Sequence, residues 1–142
     1  EELLLLERLD LLSSAGCVVV ADAVLRYGAS LFLWHVSHLP YRTRLVHVQE
    51  FASLEDDSLS ISVFKVEGEV VSPPPAPPEF QQVHAASEAM RLKVIGATYD
   101  SAYLEEKNQF LDATGRRMED LLRRWGPRLQ RRRAAAALRV KS

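Results

Sequence analysis

Five prolines stand within the seven residues Ser72–Pro78, and no other feature constrains the chain as strongly. Proline fixes φ at about −65° and has no N–H to donate, so this stretch enters neither a helix interior nor a central strand. Its default is polyproline II, an extended spacer of about 3.1 Å per residue that holds its ends about 20 Å apart. Proline runs also serve as ligands for SH3 or WW domains. Here the run joins two patterned stretches and lacks a flanking arginine, which favours the spacer. The chain is therefore read in three parts: a small α+β body over 1–71, a spacer over 72–78, and a long helical region over 79–142 with a basic tail.

The body opens with leucines. Leu5, Leu9 and Leu12 share a helical face, and Gly16 stands where a helix C-cap is expected. The β-branched run Cys17–Val20 fits a short strand or the first turn of the next helix. From Ala21 to Leu39 the positions Val24, Leu25, Leu31, Phe32 and Val36 fit a second helix, which Pro40 should stop. Two strand patterns follow. Leu45–Phe51 is rich in strand formers, and Leu59, Ile61 and Val63 alternate with Ser60 and Ser62. That period of two predicts a half-buried strand, with the polar run Leu54–Ser58 as the turn of a hairpin. A shift of the alternation at Phe64 and Val66 predicts a bulge. Two strands alone are marginal, so the hairpin needs a helix, a third strand, or a strand lent by a partner.

Beyond the prolines lies a sevenfold repeat. Val83, Met90, Ala97, Leu104, Leu111, Met118 and Trp125 are all apolar. The companion series Phe80, Ser87, Val94, Ser101, Asn108, Gly115, Leu122 and Leu129 is apolar at both ends and small or polar in the middle, at Ser101, Asn108 and Gly115. A sustained seven-residue stripe suits a helix packed lengthwise on a partner. If continuous, it would reach about 70 Å. Gly96 and Gly115 each cost about 1 kcal/mol in a helix interior, so an interrupted region that folds back is an equal expectation. The partner-binding seam is read as Val83, Met90, Val94, Leu104, Leu111, Met118, Leu122 and Trp125.

The net charge of −1 conceals a division. Residues 116–142 hold ten basic and two acidic side chains, a balance of +8, against −9 for the rest. Arg123, Arg124, Arg128, Arg131, Arg132 and Arg133 therefore form the candidate polyanion-binding group, with Trp125 available for base stacking.

Catalytic signals are weak. His35 and His38 are spaced to share a metal, but no third ligand accompanies them. Cys17 has no neighbouring base, and Glu55-Asp56-Asp57 lacks the full ligand pattern of a calcium loop. A phosphate-cradling glycine loop is absent from the sequence. No enzyme, metal or cofactor is expected. The most apolar stretch, Cys17–Leu39, contains Asp22, Arg26 and His35 and is a poor bilayer span. A single cysteine excludes an internally disulfide-stapled scaffold, and an intracellular site, with the mitochondrion as one option, is the expectation. The chain begins Glu1-Glu2 and so reads as processed or trimmed. The function these features favour is a non-enzymatic subunit of a multiprotein assembly, docked on other protein subunits through the helical seam and the hairpin. The alternative is an RNA-binding accessory protein, for example one associated with the ribosome, that uses the arginine-rich tail.

Overall fold

The computed structural model describes residues 2–38, 40–49, 56–66 and 73–139, with the side chains of Gln49, Asp56, Asp57 and 127–139 left aside. Its elements are α1 (Glu2–Arg8), β1 (Cys17–Ala21), α2 (Ser30–Val36), β2 (Tyr41–Gln49), β3 (Asp56–Phe64), α3 (Pro78–Gly96) and α4 (Ser101–Arg139). The class is α+β, as expected: four helices and a three-stranded antiparallel sheet among the described residues.

Helix α1 ends earlier than the leucine pattern suggests, and Asp10 rather than Gly16 closes it. Asp10 takes a left-handed φ of 53°. Its N–H donates to the Glu7 carbonyl at 3.0 Å, and the Leu11 N–H donates to the Leu6 carbonyl at 2.9 Å. These two bonds are the Schellman pair, which usually falls to glycine because other residues strain at positive φ. Asp is one of the few side chains that tolerates the conformation.

Cys17–Ala21 is a strand, which settles the choice the sequence left open. The long helix expected over 21–39 is corrected to a turn followed by the seven-residue α2. Asp22 Oδ1 accepts the Ala23 N–H at 2.8 Å, and Ala23 has φ 53°, so the chain turns sharply on leaving β1. Val24 and Leu25 still point into the core. Their helix-like spacing came from a compact turn rather than from a helix.

The hairpin finds its third strand within the chain. Sheet order is β1-β3-β2, with Cys17 and Tyr41 flanking Phe64 and with Ala21 and Leu45 flanking Ser60. Pairing runs without a break to Phe64, so the described strands contain no bulge there. Strand β3 already begins at Asp56, which takes Asp56–Ser58 out of the expected turn; Leu54 and Glu55 lie outside the described residues.

The long C-terminal region is interrupted at Gly96 and not at Gly115. After Gly96 the backbone is extended at Ala97, and Asp100 then caps α4 by accepting the Tyr103 N–H at 2.8 Å. A side chain that caps a first turn favours starting a new helix over continuing the old one. Gly115 lies instead between Leu111 and Met118, whose burial holds that part of α4 in place. The two helices run antiparallel: Lys93 pairs with Glu106, and Arg117 Nη2 donates to Gln82 Oε1 at 2.7 Å.

One core unites these parts. Val24, Leu33, Trp34, Val36, Tyr41 and Phe64 meet Phe80, Val83, Met118 and Leu121. The proline segment does not offset the two halves as a free spacer would. Trp34 Nε1 donates to the Pro74 carbonyl at 2.8 Å, and Ala76 packs against the core. The segment is a strap laid over Trp34, and it delivers α3 directly onto α2. Ser30 Oγ, fully buried, fixes that contact by donating to the Phe80 carbonyl at 2.7 Å.

Candidate interaction surface

The two faces of the sheet differ, and the serines of β3 lie on the inner one. Ser58, Ser60 and Ser62 are at most 2% exposed, whereas Val18 and Val20 are 62% and 59% exposed and Val63 is 39% exposed. The register explains the sets. Cys17, Val19 and Ala21 of β1 lie in rows with Phe64, Ser62 and Ser60 and with Tyr41, Thr43 and Leu45 of β2. The alternate rows carry Val18, Val20, Leu59, Ile61 and Val63, flanked on β2 by Arg42, Arg44, Val46 and Val48. The period-two pattern thus found the half-buried strand but left open which of its faces is buried.

Serine suits the inner face because it is small. At the Ser58 row the turn after β1 comes close enough for the Val24 N–H to donate to the Ser58 carbonyl at 3.1 Å. The hydroxyls are largely satisfied. Ser58 Oγ lies 3.1 Å from His47 Nδ1, and Thr43 Oγ1, which donates to the Val36 carbonyl, lies 2.9 Å from Ser62 Oγ. Ser60 Oγ has no hydrogen-bond partner among the described residues.

The expected helical seam divides in two. Val83, Leu111 and Met118 are buried in the chain's own core, and Leu122 and Trp125 pack against it half-buried. Trp125 meets Trp34 edge-on at 5.5 Å and Phe80 at 6.1 Å. These five residues close the chain on itself, so this half of the stripe is not a free surface for another molecule. Met90 and Val94 are half-buried, while Leu104 is 46% exposed near the turn of the helical hairpin. Leu92, Ile95 and Tyr99 are exposed at the same end. The folding-back that shortened the seam also created this second apolar patch. The α1 leucines Leu4, Leu5 and Leu6, with Leu9 and Leu11 just beyond them, form a third exposed group.

Trp125→Ala is therefore expected to destabilise the fold by about 2–3 kcal/mol, below the full cost of emptying a buried tryptophan site because the residue is half-exposed. Chemical denaturation checks this. An unchanged midpoint would remove Trp125 from the core.

Of the candidate polyanion group, Arg123 and Arg124 are exposed, and both approach Asp120, at 4.0 and 3.0 Å. Arg128, Arg131, Arg132 and Arg133 fall on α4, and their side chains lie outside the described residues.

The histidines have structural partners. His35 Nε2 lies 2.8 Å from Glu7 Oε1, and the Tyr41 hydroxyl donates to the same oxygen. Burial, and then the Glu7 carboxylate, push the Tyr41 phenol well above its ordinary pKa, so it stays protonated and serves as a donor. Together these contacts pin α1 to α2 and β2. Sequence reading had no means of finding Glu7, because its partners lie 28 and 34 residues away. His38 Nδ1 lies 2.7 Å from the Trp34 carbonyl. No group of three or more metal-ligating side chains occurs among the described residues. Cys17 is a free thiol on the inner-face parity of β1, and Glu55-Asp56-Asp57 lies outside what can be described in side-chain terms. Among the described residues, no helix is long and apolar enough to cross a membrane.

No protein-family model matches the chain, and no curated protein or solved structure shows significant similarity to it.

Proposed function

We propose that this chain is a non-enzymatic subunit of a multiprotein assembly, docking through the outer face of its sheet and the turn of its helical hairpin. The observation that carries this reading is the orientation of the sheet. A three-stranded sheet that buries serines and exposes Val18, Val20 and Val63 leaves aliphatic surface in water on a regular, rigid element. Scattered apolar residues are ordinary on protein surfaces, but contiguous apolar faces rimmed by charge mark interaction sites. Arg42 and Arg44 supply that rim on β2. The exposed Leu92, Ile95, Tyr99 and Leu104 support a second contact at the hairpin turn.

RNA binding has less support. Its stacking residue, Trp125, is engaged with Trp34 and Phe80, which leaves the arginines of α4 as its sole basis.

The test is affinity capture of the full chain from native lysate, compared with a Val18→Lys/Val20→Lys variant. Both positions are exposed in the free chain, so the variant is expected to fold normally. Lysines on a docking face must be desolvated on association, and loss of most of the captured partners is expected. Recovery of the same partners in the same amounts by both proteins would remove the sheet face from the reading.

A further inference from the structure

The outer face of the sheet is chemically asymmetric from edge to edge. On β2 it carries the exposed Arg42 and Arg44; on β1 it carries Val18 and Val20. Asp22, one residue beyond the end of β1, continues the parity of Val18 and Val20 and is exposed. Its Oδ1 accepts the Ala23 N–H, which leaves Oδ2 for another donor. The face thus has a cationic edge, an aliphatic centre and an edge ending in a carboxylate.

We propose that this face docks on the same face of a second copy of the chain, about a two-fold axis lying between the sheets and parallel to the strands. The inference rests on the docking role given to this face above and names its occupant. Two in-plane axes would stack one such sheet on another. An axis across the strands sets β2 over β2 and places arginines against arginines. An axis along the strands sets β2 over the partner's β1 and β3 over β3. Arg42 and Arg44 then lie over the valine rows of the other copy, where their aliphatic stems cover Val18 and Val20 and their guanidinium groups stay at the rim.

In this arrangement Arg44, in the row of Val20 and Ile61, lies one outer row from Asp22 of the other copy. Two residues along a strand span about 7 Å, within reach of an arginine side chain. Each dimer gains the Arg44–Asp22 pair twice, because a two-fold interface repeats every contact. Aligned sheet packing brings the faces to about 10 Å, the ordinary spacing of a β-sandwich. Among the described residues the face is three strands wide, so the contact belongs at the small end of specific interfaces, roughly 1,000 Å² in total. The dimer is accordingly reversible and concentration-dependent.

The experiment is sedimentation of the purified full chain across the micromolar range, with circular dichroism to confirm folding of each variant. Wild type is expected to pass from monomer to dimer. Arg44→Asp alone faces two carboxylates against two, and Asp22→Arg alone faces arginine against arginine, so each is expected to weaken dimerisation by roughly tenfold or more. An equimolar mixture of the two variants restores both oppositely charged pairs across one heterodimer, and its association is expected to return towards wild type. Val20→Lys, at an exposed site in the centre of the face, is expected to be monomeric and keeps the test intact if Asp22→Arg disturbs its turn. A wild-type chain that stays monomeric throughout overturns the second-copy inference while leaving capture of other subunits to be judged by the lysate experiment. A Val20→Lys variant that dimerises like wild type overturns the choice of face. Failure of the mixture to associate better than either variant overturns the axis.

Discussion

Leu111→Asp is expected to leave the chain unfolded or nearly so, whereas Leu104→Asp, one heptad earlier on the same stripe, is expected to fold like wild type. Leu111 is 6% exposed, and an unpaired carboxylate at that depth costs several kcal/mol. A domain of this size has roughly 5–15 kcal/mol of stability in all. Leu104 is 46% exposed at the hairpin turn, where a carboxylate keeps most of its water. Thermal melts of the two variants separate the cases. Similar melting temperatures would mean that the stripe is a single continuous surface rather than half core and half patch. In the assembly the order is reversed: Leu104→Asp is the informative variant, because it alters the exposed patch without altering the fold.

Gly28→Ala is expected to cost about 2–5 kcal/mol, from roughly 1–2 kcal/mol for a left-handed residue bearing a Cβ and roughly 1–3 kcal/mol for overpacking. Gly28 has φ +67°, and it inserts where α3 and α4 converge. A Cβ there would lie 2.8 Å from Thr114 Cγ2 and 3.1 Å from Val83 Cγ1, and closer still to Ser87 Oγ. None of these belongs to a long flexible side chain that could swing away. Urea titration provides the measurement, and a midpoint within experimental error of wild type would mean that the turn has room the structure does not show.

Gly28 also marks the boundary of what the sequence makes legible. As a residue inside an apolar run it reads as a weak spot in a helix, because its real constraint is imposed by Val83 and Thr114, which lie far along the chain. The serines of β3 illustrate a different limit. Period two shows that Ser60 and Ser62 share a face, but it does not say which face is buried when the polar residues are small enough to sit under a turn. Local chemistry fared better where it is self-contained. Pro40 does follow α2, the strand pattern at 59–63 does pair, and a fold-back was one of two even expectations for the heptad region. Asp100 could have tipped that balance, since an aspartate three residues before Tyr103 is a recognisable cap. The seven-residue spacing from Val83 to Trp125 misled for a physical reason: a helix that packs on its own body needs the same apolar stripe as one that packs on a partner. In that stripe Val83 and Trp125 lie on different helices and both face one core.

The shared core has a consequence for the order in which the chain can mature. Its buried set joins Trp34 and Phe80 to Met118 and Leu121, so the core around Trp34 is not closed until α4 has been made, whereas α2 and the turn after β1 already lie on the sheet's inner face. At about 5–20 residues per second, synthesis takes roughly 3–11 s to pass from β3 to that part of α4. During that interval β2 and β3 can already pair across their short connection, while contacts of large sequence separation wait. What stays exposed throughout the delay is the side of α2 around Trp34, which Phe80 and Trp125 later cover.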